Sequence, residues 1–118
     1  MATPIGNMED ITLRSIRTLR DCDLVAAEDT RHTGMLLKRL CLAKRQVSAH
    51  KFNEAKRSAE IVELLQGGGT VAMVSDAGSP GISDPGQRLV AAVIEAGCRV
   101  ETVPGACALV AALTASGL

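Results

Sequence analysis

Thr70-Val71-Ala72-Met73-Val74-Ser75-Asp76-Ala77-Gly78-Ser79-Pro80-Gly81-Ile82-Ser83-Asp84-Pro85-Gly86 holds three pieces of an α/β unit in one stretch. Thr70–Ser75 is a short, largely apolar run, and it ends abruptly in a loop of small, turn-forming residues. An amphipathic helix is expected from Pro85 to Ala96, with proline in its first turn and Gly97 just past its end. Strand, Gly/Pro/Asp/Ser loop and helix is how open α/β sheets build ligand sites at the carboxyl ends of their strands. The loop has little side-chain bulk and many backbone N–H and C=O groups, which suits a close-fitting small molecule. A tight βα connection with no ligand is the competing reading.

Outward from this stretch the same alternation continues, so the chain reads as one α/β domain with a parallel sheet and helices on both faces. Met1–Thr3 resembles the tail of a first strand, followed by the turn Pro4-Ile5-Gly6-Asn7. Asp10 is placed to cap a helix carrying Ile11, Leu13, Ile16 and Leu19. Asp23–Glu28 contains the buried run Leu24-Val25-Ala26-Ala27, a second strand. A helix over about Thr33–Leu42 would turn Met35, Leu36, Leu37 and Leu40 to the core. Gln46–Ala49 is a third strand, ending at His50. Glu54–Gln66 is a helix with Ala55, Ala59, Val62 and Leu65 inward, stopped by Gly67-Gly68-Gly69. Thr70–Ser75 is then the fourth strand and Arg99–Val103 the fifth. Pro104-Gly105 turns into a last helix, Ala106–Ser116, which is apolar nearly all round and therefore expects cover.

Composition narrows the function classes. The chain has 118 residues and Phe52 is its one aromatic side chain, which argues against the aromatic stacking platforms of single-strand binders. No run approaches a membrane span or a signal segment. Cys22, Cys41, Cys98 and Cys107 are scattered without metal-ligand spacing, so no metal is expected and reduced, cytoplasmic thiols are the plain reading. Net charge is zero, yet residues 31–57 carry Arg31, Lys38, Arg39, Lys44, Arg45, Lys51, Lys56 and Arg57 against the single acid Glu54. Such a band can attract phosphates or can be a solvated face.

Neither a dinucleotide fingerprint nor a P-loop occurs. Chemistry gathers at four strand ends instead: Thr3–Asn7, Glu28-Asp29-Thr30-Arg31-His32, Ser75–Gly86 and Pro104–Ala108. A parallel sheet puts all four on one edge, as one candidate site. Asp29 or Glu28 can accept a hydroxyl proton, Arg31 can grip a phosphate, and His32 suits either role. Equally, Asp29 or Thr30 can cap the next helix while Arg31 pairs with a carboxylate. His50 and Asn53, just past the third strand, can reach the same edge.

Ala2-Thr3-Pro4-Ile5-Gly6-Asn7, Asp10-Ile11-Thr12-Leu13-Arg14, Ala27–Thr33, Val74–Gly86 and Pro104-Gly105 together resemble the branch of the tetrapyrrole methylase superfamily that methylates a cytidine ribose 2′-oxygen in small-subunit (16S) ribosomal RNA. The resemblance covers nearly the whole chain. It implies a five-stranded parallel sheet of order 3-2-4-1-5, with the first strand truncated here, as the N-terminal domain (residues 1–118) of a two-domain, cytoplasmic homodimer whose C-terminal domain is absent. S-adenosyl-L-methionine would lie along Ser75, Asp76, Ala77, Gly78, Pro80, Ile82 and Ser83, approached by Pro104, Gly105 and Ala108. Thr3, Pro4, Gly6, Asn7, Glu28 and Thr30 would face the acceptor nucleotide. Asp29, His50 and Arg31 would act in catalysis, Asp29 being the first choice as proton acceptor and His50 the second. Two positions depart from the branch's pattern: Cys107 stands where relatives often carry Ser, and His50-Lys51-Phe52-Asn53-Glu54 lacks a second His. A tetrapyrrole-type small-molecule methylase and a non-catalytic α/β interaction module are the alternatives.

Overall fold

The computed structural model describes residues 1–82 and 86–118; Ser83 and the expected helix start at Pro85 lie outside them. The centre is a parallel sheet of order β2-β1-β3, built from β1 (Leu24–Ala27), β2 (Gln46–Ser48) and β3 (Val71–Val74). All four residues of β1 are buried, as a strand covered on both faces requires. The register pairs Ala27 with Ser48 on one side and with Val74 on the other. The three strands therefore end level, and their outgoing loops leave on one edge.

Strand alternation divides the core into two layers. On one face Val25, Ala27, Ala72 and Val74 pack with Leu19, Leu36 and Leu37, carried by α1 (Leu13–Asp21) and α2 (Thr30–Arg39). On the other, Leu24 and Ala26 pack with Ile61, Leu89 and Val93, carried by α3 (Glu54–Gln66) and α4 (Gln87–Glu95). Each fully buried Leu, Ile or Val contributes about 1.5–3 kcal/mol. Helices of this length are marginal alone, so these two layers hold them. Cys22 is part of the first layer at 2% exposure, and burial pushes its thiol pKa up.

The sheet has three strands among the described residues, not five. The three observed strands follow the expected 3-2-4 part of the order. Met1–Thr3 and Arg99–Val103 lie beside β3 in the expected sequence: the Met1 amino group donates to Met73 O at 2.7 Å, and Ala2 N donates to Val103 O at 3.1 Å. Neither forms a ladder. A cavity of about 420 Å³ is lined by Val71 and Met73 of β3 and by Ala2, Val100 and Thr102 of these two segments. Thr3 turns its backbone bonds to Gly78, in an isolated antiparallel bridge. Desolvation in this setting lowers the Met1 amino pKa.

Several element limits also differ from expectation. Thr12, not Asp10, caps α1, accepting from Ser15 N at 3.0 Å, while Asp10 closes a 3-10 turn over Met8–Asp10. α2 starts at Thr30 because Asp29 caps it. The inward face of α3 is Glu54, Ser58 and Ile61, with Ala55 and Ala59 exposed. Its buried hydroxyl is satisfied locally, Ser58 Oγ donating to Glu54 O at 2.6 Å. α5 is shorter than expected, Ala108–Ala115, and none of it is buried.

Candidate functional site

Two crosslinks tie the strand ends together. The first is between the loop after Met1–Thr3 and the loop after β3: Thr3 N donates to Gly78 O at 2.9 Å and Gly78 N to Thr3 O at 3.0 Å. The Thr3 hydroxyl adds a bond to Ser75 O at 3.3 Å, and Ser75 Oγ donates to Gly78 O at 3.2 Å. Thr3 and Ser75 are both buried, so these side chains build the loop rather than face outward. Gly78 has φ +75°. A Cβ there would lie 3.4 Å from Ile5 Cγ2 and 3.6 Å from Ala106 O, ordinary contact distances, so the left-handed backbone rather than lack of space favours glycine where these loops meet.

The second crosslink joins the ends of β1 and β3: Asp29 N donates to Asp76 Oδ1 at 3.2 Å. Asp29 turns its own carboxylate to the start of α2, accepting from Arg31 N at 2.9 Å. Its pairing with Arg31 is looser, at 3.4 Å. The Arg31 backbone N–H first, and the guanidinium next, hold the Asp29 carboxyl below the usual carboxylate range. Both structural readings of this motif, the cap and the Arg31 pair, are thus present. Past β2, Asn53 Oδ1 accepts from His50 N at 2.9 Å, and His50 Nδ1 accepts from Phe52 N at 3.2 Å.

A cavity of about 410 Å³ opens beside the first crosslink, and it gathers expected residues from two loops: Thr3, Pro4, Gly6, Asn7, Ser75, Asp76 and Ala77. Its remaining wall is α2, through His32, Met35, Leu36 and Arg39. Glu28, Asp29, Thr30, Arg31 and His50 do not line this cavity; Asp29 stands next to it through Asp76. Pro80 lines the other cavity, beside β3. Ile82 is 65% exposed, and Pro104, Gly105 and Ala108 are exposed. Met35 was expected in the core and is 61% exposed. The spacing i, i+3, i+4, i+7 from His32 to Arg39 is the signal that could have placed this face. Among the described residues no cluster of His, Cys, Asp and Glu could hold a metal ion. No helix there is long and apolar enough to cross a membrane.

Residues 2–118 match the family model of tetrapyrrole (corrin/porphyrin) methylases. The chain is 55% identical over 118 residues to a ribosomal RNA small subunit methyltransferase I of Synechocystis sp. (strain ATCC 27184 / PCC 6803 / Kazusa), covering 100% of this chain and 42% of that protein. It is 50% identical to the protein of that name from Haemophilus influenzae, with the same coverage. Among solved structures it resembles uroporphyrin-III-C-methyltransferase from Thermus thermophilus, with TM-score 0.71 and 30% identity over 98% of this chain and 49% of that one. A second structure, the Thermus thermophilus uroporphyrin-III C-methyl transferase complexed with S-adenyl homocysteine, has TM-score 0.65 and 23% identity over 91% and 47%. The chain spans about two fifths of the length of the curated relatives it matches.

Proposed function

Because this chain belongs to the tetrapyrrole methylase family, we propose that it forms one wall of an S-adenosyl-L-methionine-dependent methyltransferase that modifies a ribose 2′-oxygen of small-subunit ribosomal RNA. In this reading residues 1–118 are an N-terminal domain, and the rest of the relatives' length supplies the facing wall. A cytoplasmic homodimer acting on the small ribosomal subunit belongs to the same proposal. The observation that carries it is the convergence of the loops after Thr3 and Val74 on one cavity, tied together through Thr3–Gly78 and joined to the loop after Ala27 through Asp29–Asp76. Relatives at 55% and 50% identity, named for the small-subunit RNA, favour that acceptor over a tetrapyrrole.

The residues fit such a cofactor. Ala77 and Gly81 are small and exposed, so loop backbone is open to a close-lying ligand, and Gly78 keeps the neighbouring loop at contact distance. Ser75, Asp76, Ala77, Gly78, Pro80, Ile82 and Ser83, with Pro104, Gly105 and Ala108, are the proposed contacts. The cofactor supplies an already activated methyl group. The protein must then align the acceptor hydroxyl and exclude water. Thr3, Pro4, Gly6, Asn7, Glu28 and Thr30 are proposed to position the nucleotide. Asp29 is proposed as acceptor of the hydroxyl hydrogen, because it is an ionised carboxylate at the sheet edge. His50 is proposed as the second choice of proton acceptor, and Arg31, paired with Asp29, as the third catalytic residue.

Methyl transfer from tritium-labelled S-adenosyl-L-methionine, assayed with the full-length protein, separates the readings. We expect label in protein-free or subunit-bound small-subunit RNA, in a dinucleotide that resists alkaline cleavage, as 2′-O-methylation requires. Label in a base, or transfer only to a uroporphyrinogen-type tetrapyrrole, would overturn the proposal. Asp29→Asn keeps a good cap and removes the charge; it should lower the transfer rate about 10²–10⁴-fold with S-adenosylhomocysteine affinity retained.

A further inference from the structure

We propose that the face of α2 bearing His32, Met35, Leu36 and Arg39 is the track along which the acceptor RNA runs, with Arg39 holding a backbone phosphate beside the nucleoside in the cavity. This deepens the functional reading above and rests on it. All four residues line the 410 Å³ cavity. His32 stands in the first turn of α2, near the Asp29–Asp76 crosslink. Arg39 ends the helix, about 10 Å further along its axis at 1.5 Å per residue, in reach of a phosphate flanking a nucleoside at the His32 end. Between them Met35 and Leu36, with Ile5 and Met8 across the cavity, offer an apolar surface to sugar and base.

The other basic residues of 31–57 discriminate further. Arg31 is occupied by Asp29, Lys44 Nζ by Cys22 O at 2.7 Å, and Arg57 by Ser48 O and Glu60. Lys38, Arg39, Arg45, Lys51 and Lys56 have no such partner among the described residues. Of these, Arg39 is the one that lines the cavity. A planar guanidinium at the end of an apolar strip is matched by a phosphodiester whose neighbouring nucleoside fills the strip.

The test compares full-length wild type, Arg39→Gln and Lys38→Gln for binding to protein-free small-subunit ribosomal RNA over a range of salt. Lys38 is adjacent, exposed and outside the cavity, so it controls for bulk charge. Arg39→Gln should weaken binding several-fold and flatten the slope of log affinity against log salt by about 0.7–0.9. Lys38→Gln should stay close to wild type, and S-adenosylhomocysteine affinity should be the same in all three. Wild-type-like binding by Arg39→Gln, equal losses in both variants, or a loss of cofactor affinity in Arg39→Gln would each overturn the track while leaving the methyltransferase reading intact. Failure of the wild type to bind this RNA, with cofactor binding present, would overturn the RNA reading itself and the track with it.

Discussion

Gly78 is where three loops of this molecule touch, and its left-handed backbone, φ +75°, is the reason they can. Any L side chain there must hold a conformation that costs about 1–2 kcal/mol. Gly78→Ala should therefore lower stability by roughly that amount, read as a fall in the urea midpoint with unchanged m-value. It should weaken S-adenosylhomocysteine binding by more than this loss of stability explains, because the loop itself is displaced. An unchanged affinity would detach the loop from the cofactor. Gly78 was legible in the sequence, since a strand running into Ser-Asp-Ala-Gly-Ser-Pro-Gly needs glycine to turn. Met35 was not: a methionine at helical spacing fits a core or a cavity wall equally well. What packs over it decides, and nothing in the local sequence says so.

Among the elements, α3 and α4 are joined by a buried carboxylate. Gly86 precedes α4 and has no side chain to cap it. Glu54, the first residue of α3 and 7% exposed, accepts from Gly86 N at 2.9 Å and Leu89 N at 3.3 Å. These are the N-cap and N3 amides, the two that a capping box satisfies. Glu54→Ala would leave both unpaired in a buried place, at about 1–3 kcal/mol, whereas Glu54→Gln keeps an acceptor and should lose clearly less. Comparative urea unfolding of the two variants checks this, and equal losses would mean the charge matters and the geometry does not. The same residue explains a misread face. Helical periodicity over 54–66 favours the alanines as the inner side, yet Glu54 and Ser58 are buried because each finds its hydrogen bonds there. Strand existence, by contrast, was readable from short apolar runs: β1, β2 and β3 lie within one or two residues of expectation. The first and fifth strands were legible as positions beside β3 but not as ladders, because pairing depends on how closely a distant segment approaches.

At the scale of the whole molecule, apolar surface is unevenly covered. The sheet is sealed by a layer on each face, while α5 exposes Leu109 at 72%, Val110 at 56% and Leu113 at 55%. No residue of α5 is buried, so Leu109→Lys with Leu113→Lys should change folding stability by less than about 0.5 kcal/mol. The double variant should also raise the concentration at which the isolated chain stays monomeric in sedimentation velocity, since the patch is what self-association would use. A large loss of stability would mean that α5 is packed more tightly than its exposure indicates. The buried thiol of Cys22 has a further consequence. It lies in the layer beneath α1 and α2, and burial raises its pKa, while Cys41 is exposed and Cys98 and Cys107 are half-buried. A maleimide or disulfide reagent will thus find Cys41 at once and Cys22 only when the core breathes, so in a Cys98→Ser, Cys107→Ser background the slow phase of labelling is a native clock for how often the sheet is uncovered.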